Sequence, residues 1–381
     1  MTAAPRPDVV IVGAGIVGAA CAYALAREQL RVLICDAGFP GGGATAAGMG
    51  HIVVMDDSPA QLALSALSRR LWEELAATLS LACEDERPGT LWIAASGEEF
   101  SALDEKRALY GRAGVRAEIL DEQTLAAAEP NLRRGLAGAL FVPDDRVLYP
   151  PNAARWLLDA AIERGAELRI GSAARAVGAG RLTLVGPSGA VETVEAGAVV
   201  IAAGIDTPSL IPGIAIVPRK GHLVITDRYP GLLHSQLVEL GYLHSAHSMS
   251  GASTAFNLQP RSTGQVLIGS SRELAGRDAS INPAIVRDMV ARAVAFMPAL
   301  AGCLAIRTWT GFRPATPDKL PLIGPWPDLP GVWIAAGHEG LGITTATGSA
   351  ALIAAGIAGR AAPIDATPFL PSRPMPAMEA A

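Results

Sequence analysis

Short β-branched runs alternate with longer alanine- and leucine-rich stretches along most of the chain, the pattern of strands interleaved with helices. The opening unit predicts a strand over 8–12, a glycine-rich turn, a helix over 19–28 and a strand over 31–36. A long glycine-rich loop over 38–50 follows, and then apolar residues at helical spacing over 58–77 (Leu62, Leu67, Leu71, Leu75). A second such unit starts near Pro151, where Asn152 is placed to cap a helix that runs to Arg164 and ends at Gly165. A strand over 167–170, a hairpin of 182–185 with 191–194 around Pro187-Ser188-Gly189, and a buried strand over 198–203 ending at Gly204 come next. From about 217 to 269 the pattern changes to alternating strands (223–226, 255–259, 266–269), which predict a separate, mostly antiparallel sheet. A helix over 284–296 and a final strand and helix (332–336, 344–357) return to the first pattern. The tail beyond Arg360 carries five prolines and is expected along the surface. These elements predict an α/β (α+β) fold of two domains, each discontinuous in sequence, with no internal repeat.

Composition agrees. A chain of 381 residues has room for about two domains, and half of its residues are hydrophobic while 18% are charged, as in a loop-rich enzyme. The formal charge of −5, with no basic run, gives no electrostatic reason to bind nucleic acid. Cys21, Cys35, Cys83 and Cys303 are scattered without a CxxC, and the histidines show no metal-ligand spacing. They read as reduced, buried thiols, and no metal site is expected. Val9 to Ala26 carries no charge for eighteen residues, which alone could suggest a short membrane span. Its three glycines, and the absence of a basic segment before it, favour a soluble nucleotide-binding unit in the cytoplasm.

That unit holds the first chemical signal. Gly13-Ala14-Gly15-Ile16-Val17-Gly18 is GxGxxG between a strand and a helix. Gly13 permits the tight turn, Gly15 lets a pyrophosphate approach the backbone, and Gly18 lets helix and strand pack closely. The helix N-terminus offers N–H groups and a favourable dipole to phosphates. Asp36, eighteen residues past Gly18 and at the end of the next strand, can accept ribose hydroxyls and would repel a 2′-phosphate. The alternative is a purely structural glycine turn, but strand, helix and acid in register favour a dinucleotide. NAD and FAD both remain open on these residues.

Three further segments resemble motifs of the D-amino acid oxidase family: Gly43-Ala44-Thr45-Ala46-Ala47-Gly48-Met49, Gly311-Phe312-Arg313-Pro314-Ala315-Thr316-Pro317-Asp318-Lys319-Leu320-Pro321-Leu322-Ile323-Gly324-Pro325, and Gly337-His338-Glu339-Gly340-Leu341-Gly342-Ile343-Thr344. The resemblance spans the chain from Val9 to the proline-rich tail and implies non-covalently bound FAD, because no cysteine stands at the flavin loop. It implies that Thr45, Ala46, Gly48 and Met49 run beside the isoalloxazine, with Met49 on the substrate side. Gly337, Gly340, Leu341, Gly342, Ile343 and Thr344 would lead into a helix that faces the flavin's pyrimidine end. Gly204 and, more loosely, Ala174 belong to segments that hold the cofactor in the family. Arg313 would grip the substrate carboxylate through its planar fork; a structural ion pair with Asp318 or another acid is the alternative. His51 and Tyr242 are the remaining catalytic candidates, each equally compatible with a structural role. Lys220 lies in a family segment without an assignable role.

The resemblance further implies a FAD-binding Rossmann-like domain formed by 1–85, 146–215 and 306–381, and a substrate-binding domain formed by 86–145 and 216–305. The activity implied is oxidation of the C–N bond of a small amino or imino acid by hydride transfer to the flavin. The stretch from Ala47 to Pro59 looks most like bacterial D-hydroxyproline dehydrogenase flavin subunits, which points to cis-4-hydroxy-D-proline or a similar cyclic imino acid. Glycine- or sarcosine-type oxidation and a non-catalytic FAD-binding subunit are the alternatives. The electron acceptor would be a quinone, a partner subunit or O2, and a homo-oligomer or a heteromeric complex fits either.

Overall fold

The computed structural model describes residues 6–241 and 252–376. A six-stranded sheet runs in the order Leu322–Pro325, Val332–Ala336, Ala198–Ile201, Val9–Val12, Val32–Asp36 and Glu167–Ile170. Every neighbouring pair is parallel except the first. Val9, Val10, Ile11 and Val12 are all buried, as expected of a central parallel strand covered on both faces. One face packs on the helices Ile16–Arg27, Pro150–Ile162 and Gly342–Ile357. The other is covered by an antiparallel meander of Ala173–Gly178, Arg181–Val185 and Val191–Glu195, whose Leu182 and Leu184 reach Val10, Leu33 and Ile201.

A second sheet has eight strands in the order Ala305–Ala315, Val217–Thr226, Val266–Arg272, Ser253–Pro260, Gln236–Glu239, Thr90–Ala94, Gly138–Val142 and Glu118–Asp121. Only Gln236–Glu239 with Thr90–Ala94 is parallel, so the mostly antiparallel expectation agrees with the pairing. The helix Pro283–Phe296, capped by Asn282, packs on one face through Met289, Ala293 and Phe296.

Several expectations need correction. The strand Ala305–Ala315 pairs along Val217–Thr226, so residues 306–315, expected with the nucleotide domain, sit at the edge of the other sheet. The glycine-rich stretch 38–50 is not all loop, because Gly43–Ala47 forms a short helix. Asn152 does not cap its helix: two prolines, which need no N–H partner, open the helix at Pro150, and the Asn152 amide donates to the Ala82 carbonyl at 2.7 Å. The proline-rich tail does not merely lie on the surface. Phe369 is wholly buried among the helices of the parallel sheet, and Arg373 grips Asp318 with hydrogen bonds of 2.6 and 2.8 Å.

One helical stretch among the described residues, Glu339–Ile357, is long and apolar enough to cross a membrane. It is mostly buried here, packed between Ile16–Arg27 and Pro59–Ala76, as a core helix is.

The tail's contribution to stability is measurable. Phe369→Ala is expected to cost about 3 kcal/mol or more in denaturant unfolding, whereas Leu81→Ala, at a fully exposed side chain, should change stability by less than about 0.5 kcal/mol. Equal effects would show that the tail is not part of the core.

Candidate functional site

A cleft of about 640 Å³ opens between the two sheets. It lies at the carboxyl ends of Val9–Val12, Val32–Asp36 and Ala198–Ile201, the usual ligand position in an open parallel sheet. Gly13, Gly15, Asp36 and Gly204 line this wall, while Gly221, Leu223, Asn257, Ser270 and Arg313 line the wall supplied by the antiparallel sheet. Thr45, Gly48, Met49 and His51 close one side, and Gly340, Gly342 and Ile343 another.

The first wall is built for close approach. Gly13 has φ +106°, and a Cβ there would stand 2.5 Å from the Ala202 carbonyl oxygen. A Cβ at Gly18 would overlap the Gly13 carbonyl, so Gly18 sets the contact of helix with turn and does not itself line the cleft. Thr45 Oγ1 accepts the Ile16 N–H at 3.0 Å, reaching across to a helix whose own cap, Gly15, has no side chain to offer. Asp36 is pinned at the rim: its carboxylate accepts the Ala14 N–H at 2.6 Å and the Gly38 N–H at 2.7 Å.

The opposite wall is equally bare. Any side chain on Gly221 would collide with the Arg313 guanidinium, which therefore lies flat across that glycine, and one on Gly311 would collide with Ala47. Arg313 Nη1 donates to the Ser271 carbonyl at 2.9 Å. Asp318, one of the acids considered as its partner, is instead held by Arg373. Behind it, Glu339 accepts from buried Arg219 at 2.9 Å and approaches Arg272 at 3.6 Å. Lys220 is buried on Glu273 at 2.7 Å and does not line the cleft.

Several expected residues lie off the cleft. Thr344 is a brace: its hydroxyl donates to the His51 carbonyl at 2.9 Å and accepts the Val53 N–H at 3.2 Å. Trp72 Nε1 adds bonds of 3.1 Å to the Ile343 and Thr344 carbonyls. Gly337 makes the turn before the helix, with φ +79° and no room for a Cβ beside Thr316. Leu341 packs against the apolar cluster of Val54, Leu62, Trp92 and Leu140, and Ala46 is exposed on its short helix. Ala174 packs its side chain with the meander against the parallel sheet and does not line the cleft; the expectation for this segment concerned its backbone. Tyr242 lies outside the described residues.

Sequence reasoning missed Asn257, Ser270, Glu339 and His338, which all line the cleft. His338 is buried, bonded to Ser349 Oγ at 2.9 Å, and burial lowers its pKa to about 3. Burial likewise brings His51 down to about 4, and its Nε2 has no hydrogen-bond partner. Both rings are therefore neutral at physiological pH. Asn257 could have been noticed as a polar residue alternating with Phe256 and Leu258, though that pattern alone suggests a solvent-facing position.

The sequence pattern described as FAD dependent oxidoreductase (DAO) matches residues 8–355. The chain belongs to this family. It is 29% identical to the hydrogen cyanide synthase subunit HcnC of Pseudomonas aeruginosa, over 97% of this chain and 96% of that protein. It is 31% identical to a D-amino acid dehydrogenase of Cereibacter sphaeroides, over 79% of this chain and 68% of that protein. The crystal structure of glycine oxidase from Geobacillus kaustophilus superposes with a TM-score of 0.85 at 27% identity, covering 98% of this chain and all of that one. The chain is an FAD-dependent amino acid oxidase or dehydrogenase.

The residues present fit FAD. The glycine cradle at Gly13 and Gly15 leaves backbone open where a pyrophosphate would lie at a helix N-terminus that bears no acidic side chain in its first turn. Asp36 stands at the end of the next strand, where its carboxylate, beyond the two N–H groups it already accepts, has lone pairs left for ribose hydroxyls. None of the four cysteines lines the cleft, which agrees with a flavin held without a thioether.

Two expectations follow. Asp36→Ala should weaken FAD binding by about tenfold or more, read by titrating apoprotein with FAD and following flavin fluorescence; unchanged affinity would remove Asp36 from the cofactor site. The histidines give a pH dependence. Their folded pKa values (about 4 and about 3) lie below the ordinary 6.5, so the unfolded chain binds more protons in that window. Stability is then fully present above about pH 6.5 and declines as the pH falls toward 4; His338→Gln should flatten that acid limb in thermal unfolding measured across pH.

Proposed function

We propose that this chain oxidises the C–N bond of a small cyclic imino acid, with cis-4-hydroxy-D-proline the favoured substrate, and acts as a dehydrogenase. The observation that carries the reading is Arg313. Its guanidinium lies flat on Gly221 beside Gly340, within a cleft whose floor is the expected cofactor site. A planar fork in that position suits a carboxylate, which it can hold by two parallel hydrogen bonds. Met49 lines the same wall, and its thioether leaves room only for a glycine at 269. A flat, partly apolar ring with one carboxylate suits such a space.

Bound FAD supplies the acceptor for the two electrons and the hydride that leave the substrate carbon. The protein's part is orientation. Arg313 fixes the carboxylate, so the carbon beside it is presented in one pose, and the bare walls at Gly221 and Gly311 keep that space clear of side chains. His51 and His338 stay neutral, so neither adds a competing charge near the carboxylate. Among the described residues that line the cleft, none is arranged as a strong base with an orienting partner, and a substrate whose nitrogen is already deprotonated needs none.

Preference for an acceptor other than O2 is supported by Lys220, the one lysine considered from sequence, being neutralised by Glu273 away from the cleft. A relative named as a subunit of hydrogen cyanide synthase supports a heteromeric assembly, in which a partner subunit or a quinone takes the electrons. Four unbridged cysteines favour a cytoplasmic protein of amino acid catabolism.

Anaerobic addition of cis-4-hydroxy-D-proline should bleach the flavin band near ~450 nm, and air should restore it only slowly. Rapid reoxidation would make the protein an oxidase, and bleaching by glycine or sarcosine in preference would replace the substrate. Arg313→Lys, which keeps the charge but loses the fork, should lower kcat/KM about 100-fold while FAD stays bound. Unaltered turnover would dismiss Arg313 as the carboxylate clamp.

A further inference from the structure

The antiparallel wall of the cleft holds two buried polar atoms that nothing in the protein satisfies. Asn257 is 6% exposed and Ser270 is 4% exposed, and both line the cleft. Neither Asn257 Oδ1 nor Ser270 Oγ has a hydrogen-bond partner. Leaving such a group unpaired costs about 1–3 kcal/mol, so each is a standing reason to expect a ligand atom there. Other buried groups without protein partners, such as Asp145 and Gln259, do not line the cleft, and internal water is their ordinary partner.

The two residues are neighbours in the sheet. Asn257 pairs across the sheet with Gly269, the residue before Ser270. Gly269 lies under the Met49 thioether, and the Ser271 carbonyl accepts from Arg313 Nη1 at 2.9 Å. The pair therefore stands beside the carboxylate clamp and on the side of the cleft away from the GxGxxG turn.

Their chemistry is selective. Asn257 Oδ1 can only accept, and Ser270 Oγ can donate as well as accept. A second carboxylate could not satisfy Oδ1, and an ammonium could not accept from the serine. A hydroxyl group can donate to the first and accept from the second at once. We propose that Asn257 and Ser270 form a subsite for a hydroxyl substituent on the substrate, and so determine the preference for a hydroxylated imino acid over its unhydroxylated parent. This rests on the imino acid reading above and deepens it.

The test compares ligands that differ by one hydroxyl, in holoenzyme that carries wild-type Asn257 and Ser270, Asn257→Ala or Ser270→Ala. The ratio of kcat/KM for cis-4-hydroxy-D-proline over D-proline should exceed about tenfold in the wild type and fall about tenfold in each variant. The second readout needs no turnover: the Kd of cis-3-hydroxycyclopentanecarboxylate against cyclopentanecarboxylate, followed by perturbation of the flavin spectrum, should show the same loss of discrimination. A wild type that treats the two members of each pair alike, or variants that keep the wild-type ratio, would overturn the subsite. If no imino acid reduces the flavin, the proposed substrate class falls while the Kd pair still decides the subsite. Flavin content reports whether each variant is folded, and the two substitutions give independent chances to see the effect.

Discussion

Two sheets that share no strand must come close enough to enclose a flat cofactor, and the backbone can do this only where side chains are missing. Gly311 stands against Ala47 between the two halves, while within them Gly13 stands against Ala202, Gly18 against Gly13 and Gly221 under Arg313. A methyl group at Gly13, Gly18 or Gly311 would press on elements that are themselves well packed, and one at Gly221 would displace the Arg313 guanidinium, because interiors tolerate little added volume. The chain's 41 glycines thus include a small set whose purpose is the geometry of one cleft. The flanking alanines, such as Ala44 and Ala47, extend the same logic with side chains just small enough to fit.

Charge is disposed around that cleft by a similar economy. A buried cation is tolerable only with a partner, since desolvation outweighs any single weak contact. Glu339 answers Arg219 and Arg272, Glu273 answers Lys220, and Asp318 answers Arg373. These pairs sit around the cleft that Arg313 lines. The cross-strand pairing of Arg313 with Arg219 would be repulsive without Glu339 near by, so the glutamate contributes to holding the clamp in place.

The nucleotide half of the fold was legible because its information is local. Strand, glycine turn, helix and acid fall within 28 residues, and the structure keeps them in the order the pattern predicts. Helix ends were less legible where proline replaced a polar cap, as at Pro150, or where the capping oxygen came from a distant residue, as Thr45 does for Ile16. The antiparallel wall was harder still. Asn257 and Gln259 alternate with Phe256 and Leu258, which reads as a strand half in water. In the fold the polar side of that strand faces inward, so the pattern is correct and its interpretation inverted. The buried tail failed for a different reason, because prolines forbid regular structure without forbidding burial, and Phe369 supplied the apolar anchor.

The two walls of the cleft differ in how completely their polar groups are satisfied. On the nucleotide side, Asp36 is held by two backbone N–H groups and Thr45 accepts the Ile16 N–H; at the loop behind Met49, the Thr344 hydroxyl holds the backbone of His51 and Val53. Those contacts fix a surface before any ligand arrives, which lowers the ordering cost of binding and suits a cofactor that stays. On the substrate side, Asn257 and Ser270 hold their polar atoms without protein partners. A site that pays for unpaired groups when empty gains most from the ligand that completes them, and loses most from an analogue that does not. Permanence and selectivity therefore call for opposite arrangements, and the fold supplies each on a different sheet.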